Sequence, residues 1–174
     1  MEIGKQTAAQ RLIHAAIRSI VREDDPLASH VLIVAAFDLL REYGKAKKIV
    51  LQSDFLSRLP AQLGKEVAAG IKAIYNFARH SDRDPDLTVD IATLTPFTDA
   101  FVAMTVQMYV ELFGGETRVM ALFRAFVMVH HPHMMGDKWA AESSANPNVK
   151  SLAMLSRSDQ LASLHLLMIQ ADDS

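Results

Sequence analysis

Apolar residues return every three or four positions along almost the whole of this chain, a period that fits helices and little else. Leu12, Ile13, Ala16, Ile17 and Ile20 mark a first helix from about Ala8 to Arg22. Thr7 and Gln10 stand at the spacing of a capping box, which satisfies free N–H groups at a helix start. Asp25-Pro26 restarts the chain, with Asp suited to the N-cap and Pro to the first turn. The helix that follows, about Pro26 to Tyr43, is apolar nearly all round from Val31 to Phe37, which places it in the middle of a bundle. Gly44 is expected to end it. Ser53 to Leu59 reads as a short helical turn, and Pro60 opens a long helix to about His80 with Val67, Ile71, Ile74 and Ala78 on its apolar face. Thr95-Pro96 starts another helix, stopped by Gly114-Gly115, and Glu116 to His131 forms the next, ended by Pro132. The pattern breaks from His133 to Val149 and resumes from Ser158 to Gln170, with Leu161, Leu164, Leu167 and Met168 on one face. Leu87 to Ile91 alternates, but a single short strand cannot make a sheet. The expected fold is all-α: one up-and-down bundle of about six or seven helices. Residues 1–131 form its core, and residues 132–174 form an extension whose last helix packs on the same domain.

Other classes are excluded by what the chain contains. It has no cysteine, so disulfide frameworks, thiolate nucleophiles and Cys-ligated zinc are ruled out. The N-terminus has no basic stretch followed by an apolar one, so a secretory signal is not expected. The most hydrophobic long stretch, Thr95 to Phe113, carries Asp99, Gln107 and Glu111 and reads as a core helix rather than a membrane span. A cytoplasmic protein with no membrane partner is the expectation. Glycine-rich phosphate loops, nucleophile elbows and DNA-specific motifs are missing, and no cofactor is expected.

A net charge of −2 argues against coating nucleic acid by bulk charge. That charge is unevenly spread: residues 1–80 hold 12 Lys/Arg against 8 Asp/Glu, and residues 81–174 hold 6 against 12. Helical geometry puts Lys65, Lys72, Asn76 and Arg79 on one stripe, and Arg11, Arg18 and Arg22 on another, with His14 one turn before Arg18. Brought together, two basic faces make a groove for phosphates. Outward charge stripes are also the default on any amphipathic helix. The stretch Asn76-Phe77-Ala78-Arg79-His80-Ser81-Asp82-Arg83 is the densest in chemistry. Asn76 and His80 stack on neighbouring turns, the imidazole can move a proton near neutral pH, and Arg79 can hold a phosphate. Arg79 and His80 also suit the last turn of a helix for dipole reasons alone. His130, His131 and His133 are the only weak metal candidates, since adjacent histidines diverge by ~100° on a helix. His30 reads as a hydrogen-bonded core histidine, with a meeting with His80 across the bundle as the alternative.

The order of parts resembles the HEPN-type helical domains of prokaryotes. The likeness lies in the first helix, the Asp24-Asp25-Pro26 break, His30 in an apolar helix, and the long helix ending Asn76-Phe77-Ala78-Arg79-His80-Ser81-Asp82-Arg83-Asp84-Pro85. It covers about residues 5–130 and is similar in particular to bacterial proteins with an Asn-Phe-Phe-Lys-His-Ala-Asp-like segment. The resemblance implies a homodimer and a metal-independent ribonuclease motif, with an Arg, usually followed by a polar residue, and a His a few positions on. The polar residue and the histidine map to Asn76 and His80, but Tyr75 stands where the arginine belongs. The resulting expectation is an RNA- or nucleotide-facing module with altered or lost nuclease chemistry. Its binding residues are Arg11, Arg18, Lys65, Lys72, Arg79 and Arg83. The alternatives are a non-enzymatic dimeric scaffold using the late apolar helices, or a small-ligand binder between helices.

Overall fold

A computed structural model describes residues 2–79, 86, 88, 90, 94–132, 141, 145 and 147–172. Among them are seven α-helices, one 3-10 turn and no strand: α1 (Lys5–Val21), α2 (Pro26–Lys47), the turn Phe55–Arg58, α3 (Ala61–Arg79), α4 (Leu94–Phe113), α5 (Arg118–His130), α6 (Pro147–Ala153) and α7 (Arg157–Asp172). The all-α bundle is thus as its periodicity requires.

Helix α2 is central, as its nearly continuous apolar surface predicts: it packs against α1, α3 and α4. Ala16 on α1 and Ala36 on α2 are fully buried, and such small side chains let helix axes approach closely. Phe37, Phe101 and Phe123 fill the centre. Helix α7 lies on α5 and α1 and adds Leu161, Leu164 and Met168 to the same hydrophobic core. Asp25 caps α2 by accepting from the Leu27 N–H at 2.9 Å, and Thr117 caps α5 by accepting from Met120 at 3.3 Å.

Four local details depart from the sequence reading, the first three for a tertiary reason. Helix α1 begins at Lys5 with Gly4 as N-cap, so Thr7 and Gln10 form no capping box. Gln10 instead accepts from the Tyr109 hydroxyl, which in turn accepts from Gln6, each at 3.4 Å. Gly44 does not end α2, which continues to Lys47 and is closed by Lys48 in the left-handed conformation. Gly44 is there because Leu51 folds back over it: a Cβ would lie 3.0 Å from the Leu51 side chain. The inner face of α3 is Val67, Ala68, Ile71 and Tyr75, with Ala78 exposed, so the helix is turned from the expected seam. Helix α6 falls partly inside the stretch expected to be irregular; Pro147 at its first position was the available signal.

Candidate functional site

The rotation of α3 decides where its chemistry goes. Tyr75, at the position the resemblance gives to an arginine, packs against the core, and Asn76 beside it is exposed. Lys65 is exposed, whereas Lys72 reaches across to α2 and pairs with Asp38 at 3.0 Å. Arg79 is the last residue of α3; its side chain, together with His80 and Arg83, lies outside the described residues. On α1, Arg11 is exposed and Arg18 half-buried. Helices α1 and α3 both lie against α2, which carries their main packing. His14 is used in the fold: its Nε2 is 2.7 Å from the Thr117 hydroxyl at the start of α5.

His30 is fully buried on α2, facing the rings of Phe97 and Phe101. Its Nε2 lies 3.4 Å from the Ile71 carbonyl, and its Nδ1 lies 3.1 Å from the Thr98 hydroxyl. A carbonyl only accepts, so the ring can meet Ile71 only by donating from Nε2–H; the single proton of the Thr98 hydroxyl is directed at the Leu94 carbonyl, 2.9 Å away, as well as lying near Nδ1. This histidine ties α2 to α3 and α4. Burial holds its pKa below the ordinary 6.5, against the pull of the Ile71 hydrogen bond. With the folded value below the unfolded one, its contribution is complete above 6.5 and is lost as the pH falls below that value. Urea unfolding should therefore show stability falling between about pH 7.5 and about pH 5.5. In His30→Gln that fall should be shallower. His130 shifts in the same direction, from burial first and then the charge of His131, so only the difference between the two proteins tests His30; equal slopes would remove it as the cause.

His130 stacks on Phe126 at 5.4 Å and meets His131 edge-on at 5.3 Å, and His133 lies outside the described residues. Among the described residues no group of three or more His, Asp or Glu side chains could hold a metal ion. His131 Nε2 is buried with no hydrogen-bond partner among them.

Near these histidines is a site that the sequence reading missed. Asp99 on α4 is 1% exposed, and Arg157, the first residue of α7, binds it. Nη2 donates to both carboxylate oxygens at 3.0 Å, and Nε donates at 3.3 Å. The guanidinium also lies 5.9 Å from the centre of the Phe126 ring. Burial pushes the Asp99 carboxyl up, while the charge and hydrogen bonds of Arg157 pull it back. A signal for the pair was present: an aspartate inside an apolar helix needs a buried counter-charge.

No protein-family model, no curated protein and no solved structure matches this chain.

The surface is distinctive at its C-terminal end. Helix α7 buries Leu161, Leu164 and Met168 on one side and carries further apolar residues among the polar ones of its other side. Leu166, Leu167 and Ile169 are 63%, 44% and 46% exposed, and Leu167 is therefore not on the core face expected of it. Leu152, Met154 and Leu155, at the end of α6 and just beyond it, are also exposed. Leu152 and Leu167 share an apolar groove of about 150 Å³ with Leu122 and Phe126 of α5, so the exposed apolar surface runs on from α6 to α7.

Proposed function

We propose that the chain is a non-enzymatic helical interaction module that works as a homodimer, pairing through the outer face of α6 and α7. The observation that carries this reading is the exposed apolar row Leu166, Leu167 and Ile169 on a helix whose other side is already in the core. An exposed apolar patch of this kind marks an association surface. A second copy presents the same surface, so an isologous contact is self-complementary. The HEPN-like resemblance also implies a dimer. Ribonuclease chemistry is disfavoured because Tyr75 is packed inward where that motif needs an arginine.

A second reading keeps RNA or a nucleotide as partner, favoured by the exposure of Lys65 and Asn76 on the outer face of α3. Light scattering and RNA titration separate the two. The wild-type chain should be a dimer at micromolar concentration, and Leu166→Glu with Ile169→Glu should make it a monomer. Both side chains are about half exposed, so the melting temperature of the monomer should change little beyond the loss of dimer. His80→Ala should leave the dimer intact. A wild-type monomer, or a dimer indifferent to the two glutamates, would overturn the proposal. Salt-sensitive binding of single-stranded RNA that Lys65→Glu weakens would put the second reading in its place.

A further inference from the structure

The end of the bundle opposite the α1–α2 turn is basic and tipped with apolar side chains. A run of contacts ties three helix ends together there. Gln6 near the start of α1 donates to the Tyr109 hydroxyl at 3.4 Å, and the Tyr109 ring lies 4.9 Å from that of Phe113 at the end of α4. The Phe113 ring lies 5.5 Å from that of Tyr43 on α2, and the Lys47 ammonium sits 5.7 Å from the centre of the Tyr43 ring. Around these rings Lys5, Lys45, Lys47 and Lys48 are exposed. Ile3, Ile49 and Val50 are 48%, 42% and 79% exposed. Lys45 is answered by Glu42 at 2.6 Å; among the described residues Lys5, Lys47 and Lys48 pair with no carboxylate. Exposed Glu2 offsets one of these charges, and Glu111 is taken up by the backbone N–H groups of Gln52 and Ser53, at 2.6 and 3.1 Å.

The fold itself holds Ile49 and Val50 outward. The Lys48 N–H donates to the Lys45 carbonyl at 3.0 Å and the Ile49 N–H to the Gly44 carbonyl at 2.9 Å, the paired bonds of a Schellman motif. Leu51 then turns inward over Gly44, and Glu111 grips the two N–H groups that follow. The two apolar residues therefore stand between fastened points, and folding leaves them in water. Lys48 has a φ of 58°, a conformation that favours glycine, so a cation occupies the tip against the local backbone preference. At the far end of the bundle the α1–α2 turn exposes Glu23, Asp24 and Asp25 against Arg22 alone. The molecule is electrically polar along its length.

We infer that this basic end docks on the surface of a bilayer containing anionic lipid, with Ile49 and Val50 entering the headgroup boundary and Lys5, Lys47 and Lys48 meeting lipid phosphates. Apolar side chains ringed by lysines suit such an interface, because burial and charge attraction act together there. The acidic far end is repelled by the same surface, which orients the bundle upright on it. Among the described residues no helix is long and apolar enough to cross a membrane, so the contact is made at the surface. RNA fits this end less well. Single strands are held by stacking on open aromatic rings, and here Tyr43 lies under Lys47 while Phe113 packs on the core.

Sedimentation of the full chain with vesicles of phosphatidylcholine containing about one-quarter phosphatidylserine tests this. Binding is expected, absent on phosphatidylcholine alone and falling as salt is added. Lys47→Ala with Lys48→Gly should weaken it about tenfold or more, and Val50→Asp likewise. Glycine suits the left-handed position and Val50 is mostly exposed, so the circular dichroism of both variants should match wild type. No binding of wild type to the anionic vesicles at millimolar lipid would overturn the inference, as would wild-type binding by either variant. Binding of single-stranded RNA that the lysine variant weakens, with no vesicle binding, would assign this end to nucleic acid instead. Leu166→Glu with Ile169→Glu should still bind the vesicles and still lose that binding on adding Val50→Asp, so the result stands apart from the dimer. Vesicle binding lost through the α7 changes and indifferent to Val50→Asp would move the membrane surface to α7 and overturn the assignment.

Discussion

Phe101→Ala will unfold about 3–5 kcal/mol more easily than wild type, the range for emptying a fully buried aromatic site. Phe101 has no exposed surface. Its ring lies 4.8 Å from that of Phe37 on α2, 5.7 Å from that of Phe97, and 6.4 Å from that of His30. These neighbours sit on two helices held by many other contacts, so they cannot collapse into the space left behind. The loss should therefore fall in the upper part of the range, lowering the melting temperature by roughly 10 °C at about 2–4 °C per kcal/mol. Denaturant unfolding should move its midpoint and keep its slope. A loss below about 1 kcal/mol would mean that the α2–α4 interface is not packed as described.

Arg157→Ala should rank next. Removing one partner of a buried pair leaves the other charged and desolvated, at about 3–5 kcal/mol. The lower end applies here because Arg157 is 28% exposed and water can partly replace it. The replacement should also raise the Asp99 carboxyl further, since the group opposing burial is gone. Asp99→Asn should cost less than Arg157→Ala, because an amide is neutral and can still accept from the guanidinium. Combining Arg157→Ala with Asp99→Asn should recover part of the single loss, and chemical denaturation of the four proteins measures that coupling. Strict additivity of the two changes would show that the contact contributes nothing.

Period and punctuation made most of the helices legible. Helix α2 was recognisable as central because its apolar surface is nearly continuous. Its start was equally plain, since Asp25 and Pro26 act through the local backbone alone. What could not be read depended on partners distant in the chain. Gly44 looks like a stop signal until Leu51 is seen lying on it. Thr7 and Gln10 look like a cap until Tyr109 claims the glutamine. For α3, two adjacent apolar stripes compete, and packing on α2 chose the one containing Tyr75.

The candidate sites divide in the same way. The α3 stripe was legible as a stripe, but the pairing of Lys72 with Asp38 was not, because periodicity along one helix says nothing of the helix next to it. Asp99 was noted only as a charge in an apolar segment, and its partner 58 residues on carried no local mark. The apolar outer face of α7 was present in the sequence as a run of leucines, and only the structure separates its buried leucines from its exposed ones.

The ion pair that joins α4 to the last helix also bears on the order in which the molecule can be completed. A growing chain makes Asp99 long before Arg157 leaves the ribosome. Until then the acid has no mate, and it must stay wet or take up a proton. The end of the bundle at Asp99 therefore lacks its ion pair while the final helix is being made, and that helix acts as a bolt drawn across a core already supplied by the helices before it.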